Sequence, residues 1–205
     1  MDLIIGNLRI PVEKDGLDEY IKSASRKLAI GAETIKCSRI LSKTLDIGDK
    51  DQFYYDVSIV ATVPDTFDPK DNFSVYTEKL KPARKAVNTK ERPIIIGSGP
   101  AGMFAAIELV DRGIRPLVFE RGRKIEERSA DVQDFIRGRK LDSESNIQFG
   151  EGGAGSYSDG KLFSKPGSNS GYAEKVLDTF IRFGAPAEIA YAAKPHLGTD
   201  VLCRI

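Results

Sequence analysis

The sequence predicts a mixed α/β fold in two parts, a small N-terminal βαββ sandwich and a following parallel strand–helix–strand unit. Two observations lead to this fold class. A helical stripe of apolar residues lies between segments rich in β-branched and aromatic residues in the first part. In the second part, a run of three isoleucines enters a glycine-rich turn. We place the boundary near residue 90, with one domain and its linker over residues 1–90 and the second over residues 91–205.

Composition narrows the function classes. The 205 residues are 40% hydrophobic and carry 31 Lys+Arg against 30 Asp+Glu, so neither a nucleic-acid-binding nor a membrane-attracted surface is predicted. No apolar run is long enough to cross a bilayer, and the N-terminus lacks the pattern of a secretory signal. Cys37 and Cys203 lie far apart and suggest neither a disulfide framework nor a metal site, so a reducing cytoplasm is the expected location.

The N-terminal part is expected to begin with a strand over residues 3–12 and a helix over residues 16–30. Asp15 is the predicted N-cap of this helix. Strands are expected around residues 35–45 and, more clearly, over residues 53–63, which end at a proline. The residues predicted on the buried face of the helix are Leu17, Tyr20, Ile21, Ala24 and Leu28.

A basic run follows in a segment rich in Pro, Asp, Asn and Lys. It could contact an acidic partner, but it lacks interleaved aromatic residues, so a solvated linker is the simpler interpretation. The run consists of Lys79, Lys81, Arg84, Lys85, Lys90 and Arg92.

The chemistry is expected at the glycine-rich turn that follows Ile94, Ile95 and Ile96. Continuous apolar residues are typical of a parallel strand buried on both faces. Gly97 would permit a tight turn, Gly99 the approach of a diphosphate to the backbone, and Gly102 close packing of a helix on the strand. The start of this helix would then direct its free amides and its dipole toward the phosphates.

The residues after the turn fit the same pattern. Ala106 would keep the helix thin against the sheet, and Gly113 is expected just after the helix C-terminus. A second strand over residues 116–119 ends in Glu120, about 20 residues after the glycines, where a carboxylate would bind a ribose diol. A carboxylate there also disfavours a 2′-phosphate, which makes NADP the least expected dinucleotide.

A second glycine-rich stretch spans residues 146–161. Five glycines among residues 150–160 exclude the interior of a helix or an ordinary strand. A flexible linker would have the same glycine content. The aromatic residues Phe149, Tyr157 and Phe163 nevertheless favour a loop that binds a ligand, with Ser158, Asp159 and Lys161 available as hydrogen-bonding groups.

These segments, together with residues 194–200, resemble the bacterial FAD-dependent oxidoreductases described as NAD(FAD)-utilising dehydrogenases, which carry an extra N-terminal α/β domain. The resemblance implies a Rossmann-like fold and non-covalently bound FAD, with NAD(P)H as a further candidate electron donor. It also implies Glu120 at the adenosine ribose and Arg121 beside the adenosine. The diphosphate residues would be Gly97, Ser98, Gly99, Pro100, Ala101 and Gly102, and the residues near the flavin would be Gly152, Gly153, Ala154 and Gly155.

Members of this family are more than twice as long, so we expect an incomplete FAD-binding domain that lacks its C-terminal portion and leaves apolar faces uncovered. Such a chain is expected to be inactive or to bind FAD weakly on its own. The family brings no agreed substrate, and the catalytic residues stay unassigned. Two alternatives remain open: an NAD-dependent dehydrogenase, or a non-catalytic nucleotide-binding remnant fused to a βαββ module that binds protein or nucleic acid.

His196 is the one histidine of the sequence. Its side chain could act as a general acid or base. Pro195 before it and Gly198 after it favour a structural position instead, at a strand end followed by a helix that Thr199 or Asp200 caps.

Overall fold

A computed structural model describes residues 1–69, 73–78, 85–162 and 170–205. Within this part, the chain divides into two compact units. The first holds residues 1–69, 73–78, 170–181 and 186–195, and the second holds residues 85–162, 182–185 and 196–205. This division differs from the predicted boundary near residue 90, because residues 170–181 and 186–195 belong with the N-terminal sheet. Lys79, Lys81, Arg84 and Phe163 lie outside the described residues.

The first unit is built on an antiparallel sheet. Its strands are β1 (Asp2–Pro11), β2 (Lys36–Asp46), β3 (Tyr54–Thr62) and the two-residue β4 (Ser74–Val75), in the order β2-β3-β1-β4. Leu3 pairs with Ala61 and Ile10 with Tyr55, so apolar residues of neighbouring strands share one face. The first three strands lie close to the predicted positions, whereas no pattern in the sequence predicted β4.

Helix α1 (Leu17–Leu28) covers this face of the sheet and buries Tyr20, Ala24 and Leu28. Two predicted details are wrong. Leu17 is 54% exposed, because it is the first helical residue, and the N-cap is Gly16 without a side-chain cap. The Asp15 carboxylate instead accepts hydrogen bonds from the Tyr20 hydroxyl and the Lys43 ammonium group.

The second unit contains a two-stranded parallel sheet. Strand β5 (Ile94–Ile96) pairs with β6 (Leu117–Phe119), and Ile94 lies opposite Leu117. Helix α2 (Pro100–Val110) connects the strands, and α3 (Ile125–Gly138) follows β6. Helix α5 (Thr199–Leu202) and a 3-10 turn at Ala154–Tyr157 also belong to the second unit. Helix α4 (Ser170–Arg182), except for its last residue, and 3-10 turns at Val12–Lys14, Ala32–Thr34 and Ala187–Ala190 belong to the first.

The expectation that β5 is buried on both faces is wrong. Ile94 and Ile96 are exposed on one face of the sheet, together with Phe119 of β6. The reason is that β5 pairs with β6 alone among the described strands and α2 packs on the other face, where Ile95 lies. None of the helices in the described part of the chain combines the length and the apolar character that a bilayer crossing requires.

Candidate functional site

The turn from β5 into α2 is formed by residues 97–99. Gly97 has a φ of 97°, in the left-handed region that glycine adopts without strain, and its N–H donates to the Phe119 carbonyl oxygen at 2.6 Å. Gly99 is the N-cap of α2, and Pro100 follows within the first turn. The chain therefore passes from strand to helix within three residues, as the glycine pattern predicts.

Gly102 is the glycine that the packing of this turn requires. A Cβ atom at this position would collide with the Gly97 carbonyl oxygen and would lie 3.1 Å from the Gly97 carbonyl carbon. It would also lie 3.3 Å from Cγ2 of Ile95. The first turn of α2 therefore rests directly on the end of β5, which is the close helix–strand packing expected of the third glycine in this motif.

The N-terminus of α2 presents free donors. Met103 N–H donates to the Gly99 carbonyl oxygen at 3.0 Å and makes the first hydrogen bond within the helix. Pro100 has no N–H, so helical geometry leaves the amides of Ala101 and Gly102 without an acceptor inside the helix. These amides and the helix dipole form a site whose chemistry suits an anion.

Glu120 lies at the end of β6 and holds three backbone segments together. One carboxylate oxygen accepts hydrogen bonds from the Ser98 N–H at 2.6 Å and the Ser98 hydroxyl at 3.1 Å. The other accepts from the Gly122 N–H at 2.9 Å and the Gly150 N–H at 3.0 Å. A carboxylate has about four acceptor positions, and here protein donors use all of them. The predicted ribose contact therefore requires exchange of one of these bonds.

These hydrogen bonds also set the charge state of Glu120. Burial acts to raise the pKa of its carboxyl group, but the hydrogen bonds from Ser98, Gly122 and Gly150 outweigh this effect and bring the pKa below its ordinary value. Glu120 is therefore ionised at neutral pH, which is the state that a carboxylate contact with the backbone amides needs.

The glycine-rich stretch lies against the β5–α2 turn. Gly152 N–H donates to the Ser98 carbonyl oxygen at 3.1 Å. A Cβ atom at Gly153 would lie 3.0 Å from Cα of Gly99, and Gly153 has a φ of 63°. The structure thus brings residues 97–102, Glu120 and residues 150–155 together; that they bind a cofactor stays a prediction. We refer to residues 146–153 as the glycine loop.

Other predicted ligand-binding residues are engaged in local contacts. The Ser158 hydroxyl donates to the Gly155 carbonyl oxygen at 2.9 Å. Asp159 and Lys161 form an exposed ion pair at 2.7 Å. Arg121 pairs with Glu144 at 3.0 Å and lies 4.7 Å above the ring of Phe149. Their predicted contacts with a ligand remain predictions.

Sequence reasoning missed Arg128 on α3, which is completely buried and donates hydrogen bonds to backbone carbonyl oxygens of the glycine loop. Burial lowers the pKa of its guanidinium group, while Tyr157 and Glu120 act in the opposite direction. In the sequence, this arginine lies between Glu127 and Ser129 in a charged stretch, so no local signal distinguishes it from a solvated side chain.

The segment at His196 differs in detail from the expectation. Lys161 and His196 form an isolated antiparallel bridge, and the side chain of His196 is exposed. Helix α5 begins at Thr199 with Gly198 as its N-cap, so neither Thr199 nor Asp200 caps the helix. The Thr199 hydroxyl lies 3.4 Å from the Ser158 carbonyl oxygen. Burial raises the pKa of the Cys203 thiol, which fits a structural cysteine.

Comparisons with known proteins point to the same kind of site as the glycine-rich turn between β5 and α2. A family model described as an NAD(P)-binding Rossmann-like domain matches residues 95–153, which contain the last two residues of β5, helix α2, Glu120 and the glycine loop. An uncharacterized protein of Clostridium beijerinckii is 34% identical over 209 residues. That alignment covers 98% of this chain but 39% of the relative, so the chain spans well under half the length of the protein it matches.

The chain is thus a mixed α/β protein in which residues 95–153 are similar to an NAD(P)-binding Rossmann-like domain. This match supports a nucleotide cofactor.

Proposed function

We propose that this chain provides the nucleotide-binding part of an FAD-dependent oxidoreductase whose substrate is not assigned. The observation that carries the proposal is the β5–α2 turn, in which Gly102 leaves no room for a Cβ atom and the amides of Ala101 and Gly102 have no acceptor within the helix. An anionic diphosphate fits the charge and the donors of this site.

The residues that would hold the cofactor follow from this arrangement. The turn from Gly97 to Gly102 would bind the diphosphate, and Gly153, which packs on Gly99, would form the adjoining part of the site's wall. Arg121 at the end of β6 would lie beside the adenosine. When bound, FAD would supply hydride or single-electron transfer through its isoalloxazine ring, and the protein would supply binding and orientation.

NAD(P) is the second candidate, and the matched family model favours it because its description names NAD(P). FAD and NAD share the adenosine and the diphosphate, so both fit the same turn. The ionised carboxylate of Glu120 repels a 2′-phosphate, which makes NADP the weakest of the three.

A titration that compares the three dinucleotides tests this proposal. We expect the purified protein either to show flavin absorbance or to gain thermal stability when FAD is added. The gain in thermal stability should be largest with FAD, smaller with NAD and smallest with NADP. A ligand at 100 times its Kd adds about 2.7 kcal/mol to the free energy of unfolding, which a melting curve resolves. A larger gain with NAD than with FAD would support the second candidate.

A matched pair of glycine variants makes the titration specific for the turn. Gly102→Ala should abolish the gain with any dinucleotide. Gly138→Ala is the control, because a Cβ at Gly138 on α3 meets no other atom within 4 Å. A colourless protein that gains no stability from FAD, NAD or ADP would overturn the proposal.

A further inference from the structure

Arg128 is the largest fully buried side chain of the described chain, with none of its surface exposed. It lies on the first half of α3, whose other charged residues around it, such as Glu126 and Glu127, are exposed. Burying an arginine is costly unless every donor finds a partner. Such a side chain is therefore expected to have a specific role.

The guanidinium group bonds to four carbonyl oxygens of the glycine loop. Nε donates to Asn146 at 3.0 Å and Nη2 to Ile147 at 2.7 Å. Nη1 donates to Glu151 at 2.7 Å and to Gly153 at 2.8 Å. Two of these acceptors precede Gly150 and two follow it. Arg128 thus connects the two ends of the loop, which folds around it.

The loop is shaped to accept this side chain. A Cβ atom at Gly150 would lie 2.7 Å from Cδ of Arg128, so only glycine leaves space for the arginine there. The ring of Tyr157 lies 4.9 Å from the guanidinium carbon. Among the residues that the structure describes, no carboxylate forms an ion pair with Arg128, and the carbonyl dipoles compensate its charge.

The same loop touches the nucleotide-binding turn. Gly153, whose carbonyl oxygen Arg128 binds, packs on Gly99, and Gly152 N–H donates to the Ser98 carbonyl oxygen. Gly153 therefore contacts the guanidinium group through its carbonyl oxygen and the turn through its packing on Gly99.

We propose that Arg128 is a positioning residue that fixes the glycine loop against the β5–α2 turn and so shapes the wall of the dinucleotide site. The effect on ligand affinity rests on the proposed function, whereas the effect on the loop does not. Lysine would keep the charge but has three donors on one atom, so it cannot reach acceptors on both sides of Gly150 in the way that the planar guanidinium group does.

The variant Arg128→Lys tests this role in the intact chain, with Arg137→Lys as the control. Arg137 is an exposed arginine on the same helix. In Arg128→Lys, we expect the amides of Gly150, Gly152 and Gly153 to exchange at least about tenfold faster in the unliganded protein, with no change in β1 and β3. The Kd for ADP should rise at least about tenfold. Arg137→Lys should change neither quantity.

Chemical rescue separates positioning from a general loss of stability. Arg128→Ala leaves four carbonyl oxygens around an empty space, and millimolar ethylguanidinium should restore both slow exchange and ADP binding, whereas ethylammonium should not. If Arg128→Ala does not fold, the lysine variant still decides the matter.

The two proposals fail in different ways. Wild-type exchange rates in the glycine loop of Arg128→Lys would overturn the positioning role, whether or not the protein binds nucleotide. Wild-type ADP affinity in a variant with a loosened loop would also overturn it. Failure of the unaltered protein to bind ADP, FAD or NAD would overturn the proposed function, while the exchange rates still report on Arg128.

Discussion

In the N-terminal sheet, the side chains of Leu3, Ile5 and Ile59 are completely buried, whereas in the two-stranded sheet Ile94 and Ile96 are 63% and 81% exposed. Helix α1 buries three side chains, but α2 has none that is fully buried. In the second unit, polar side chains such as Arg128 and Ser156 are buried beside apolar ones such as Val132 and Leu197. Arg128 and the half-buried Glu120 bond there to backbone groups of the glycine loop.

The difference shows two ways of specifying a structure. The first unit is stabilised by apolar surface removed from water, which is non-directional and tolerates small shifts. The site in the second unit depends on directional hydrogen bonds and on glycines at close backbone contacts, which fix positions rather than supply large stability. Substitutions in the two units should therefore have different consequences.

The largest effect on stability is expected from Ile59→Ala in the centre of β3. Ile59 has no exposed surface, and the lost methyl groups leave a cavity, so the free energy of unfolding should fall by about 2–5 kcal/mol. Leu45→Ala, at a half-exposed position on β2, should change it by less than about 0.5 kcal/mol. Thermal or urea unfolding measures both, and equal losses would contradict a core centred on β1 and β3.

Gly102→Ala should destabilise the second unit by about 1–3 kcal/mol, because the methyl group must displace the Gly97 backbone or α2. Hydrogen exchange should accelerate in α2 and β5 and stay unchanged in β3. Normal exchange together with normal nucleotide binding would show that the turn tolerates a side chain, contrary to the packing observed.

Glu120→Gln should lower the free energy of unfolding by about 1 kcal/mol. Its NH2 group would face backbone N–H groups that now donate hydrogen bonds to a carboxylate oxygen. The Gly150 amide should exchange faster. Glu127→Gln, an exposed change on α3, is the control and should leave both the melting temperature and the exchange rate unchanged.

The same variant gives a pH test. The pKa of Glu120 is lowered in the folded protein, so its contribution to stability is fully present above the ordinary carboxyl pKa of about 4.3 and is lost as the pH falls through the folded value. The difference in melting temperature between the unaltered protein and Glu120→Gln should be constant between about pH 6 and about pH 8. It should shrink at pH values below about 4. A difference that persists in acid would contradict the carboxylate's role.

The smallest effect is expected from Ile96→Thr on the exposed face of β5. Because 81% of the Ile96 surface is already exposed, the substitution should change the free energy of unfolding by less than about 0.5 kcal/mol. Thermal unfolding checks this expectation. A loss as large as that of Ile59→Ala would show that this face is covered in solution.

The sequence was most informative where structure depends on local pattern. The apolar stripe predicts α1 because a helix on a sheet must bury one face, and Tyr20, Ala24 and Leu28 do so. The glycines at 97, 99 and 102 predict the turn because glycine meets a local backbone requirement there. Asp15 shows the limit of such patterns, since its carboxylate is used by Tyr20 and by the distant Lys43.

The remaining features depend on contacts that the sequence does not display. Isoleucine at positions 94–96 predicts burial, but exposure depends on how many strands and helices cover β5. Arg128 is an ordinary residue of a charged helix until the glycine loop folds around it. Likewise, the position of Glu120 is predictable from its distance to the glycines, but its four protein donors are not.

The full set of donors on Glu120 has a consequence for binding equilibria. A sugar hydroxyl that donates to this carboxylate competes with the donors of Ser98, Gly122 or Gly150. It therefore binds to the fraction of molecules in which one of these hydrogen bonds is broken. The measured affinity is then the intrinsic affinity multiplied by that fraction. A substitution that removes one competitor without moving the backbone, such as Ser98→Ala, would raise the affinity for ribose-containing ligands.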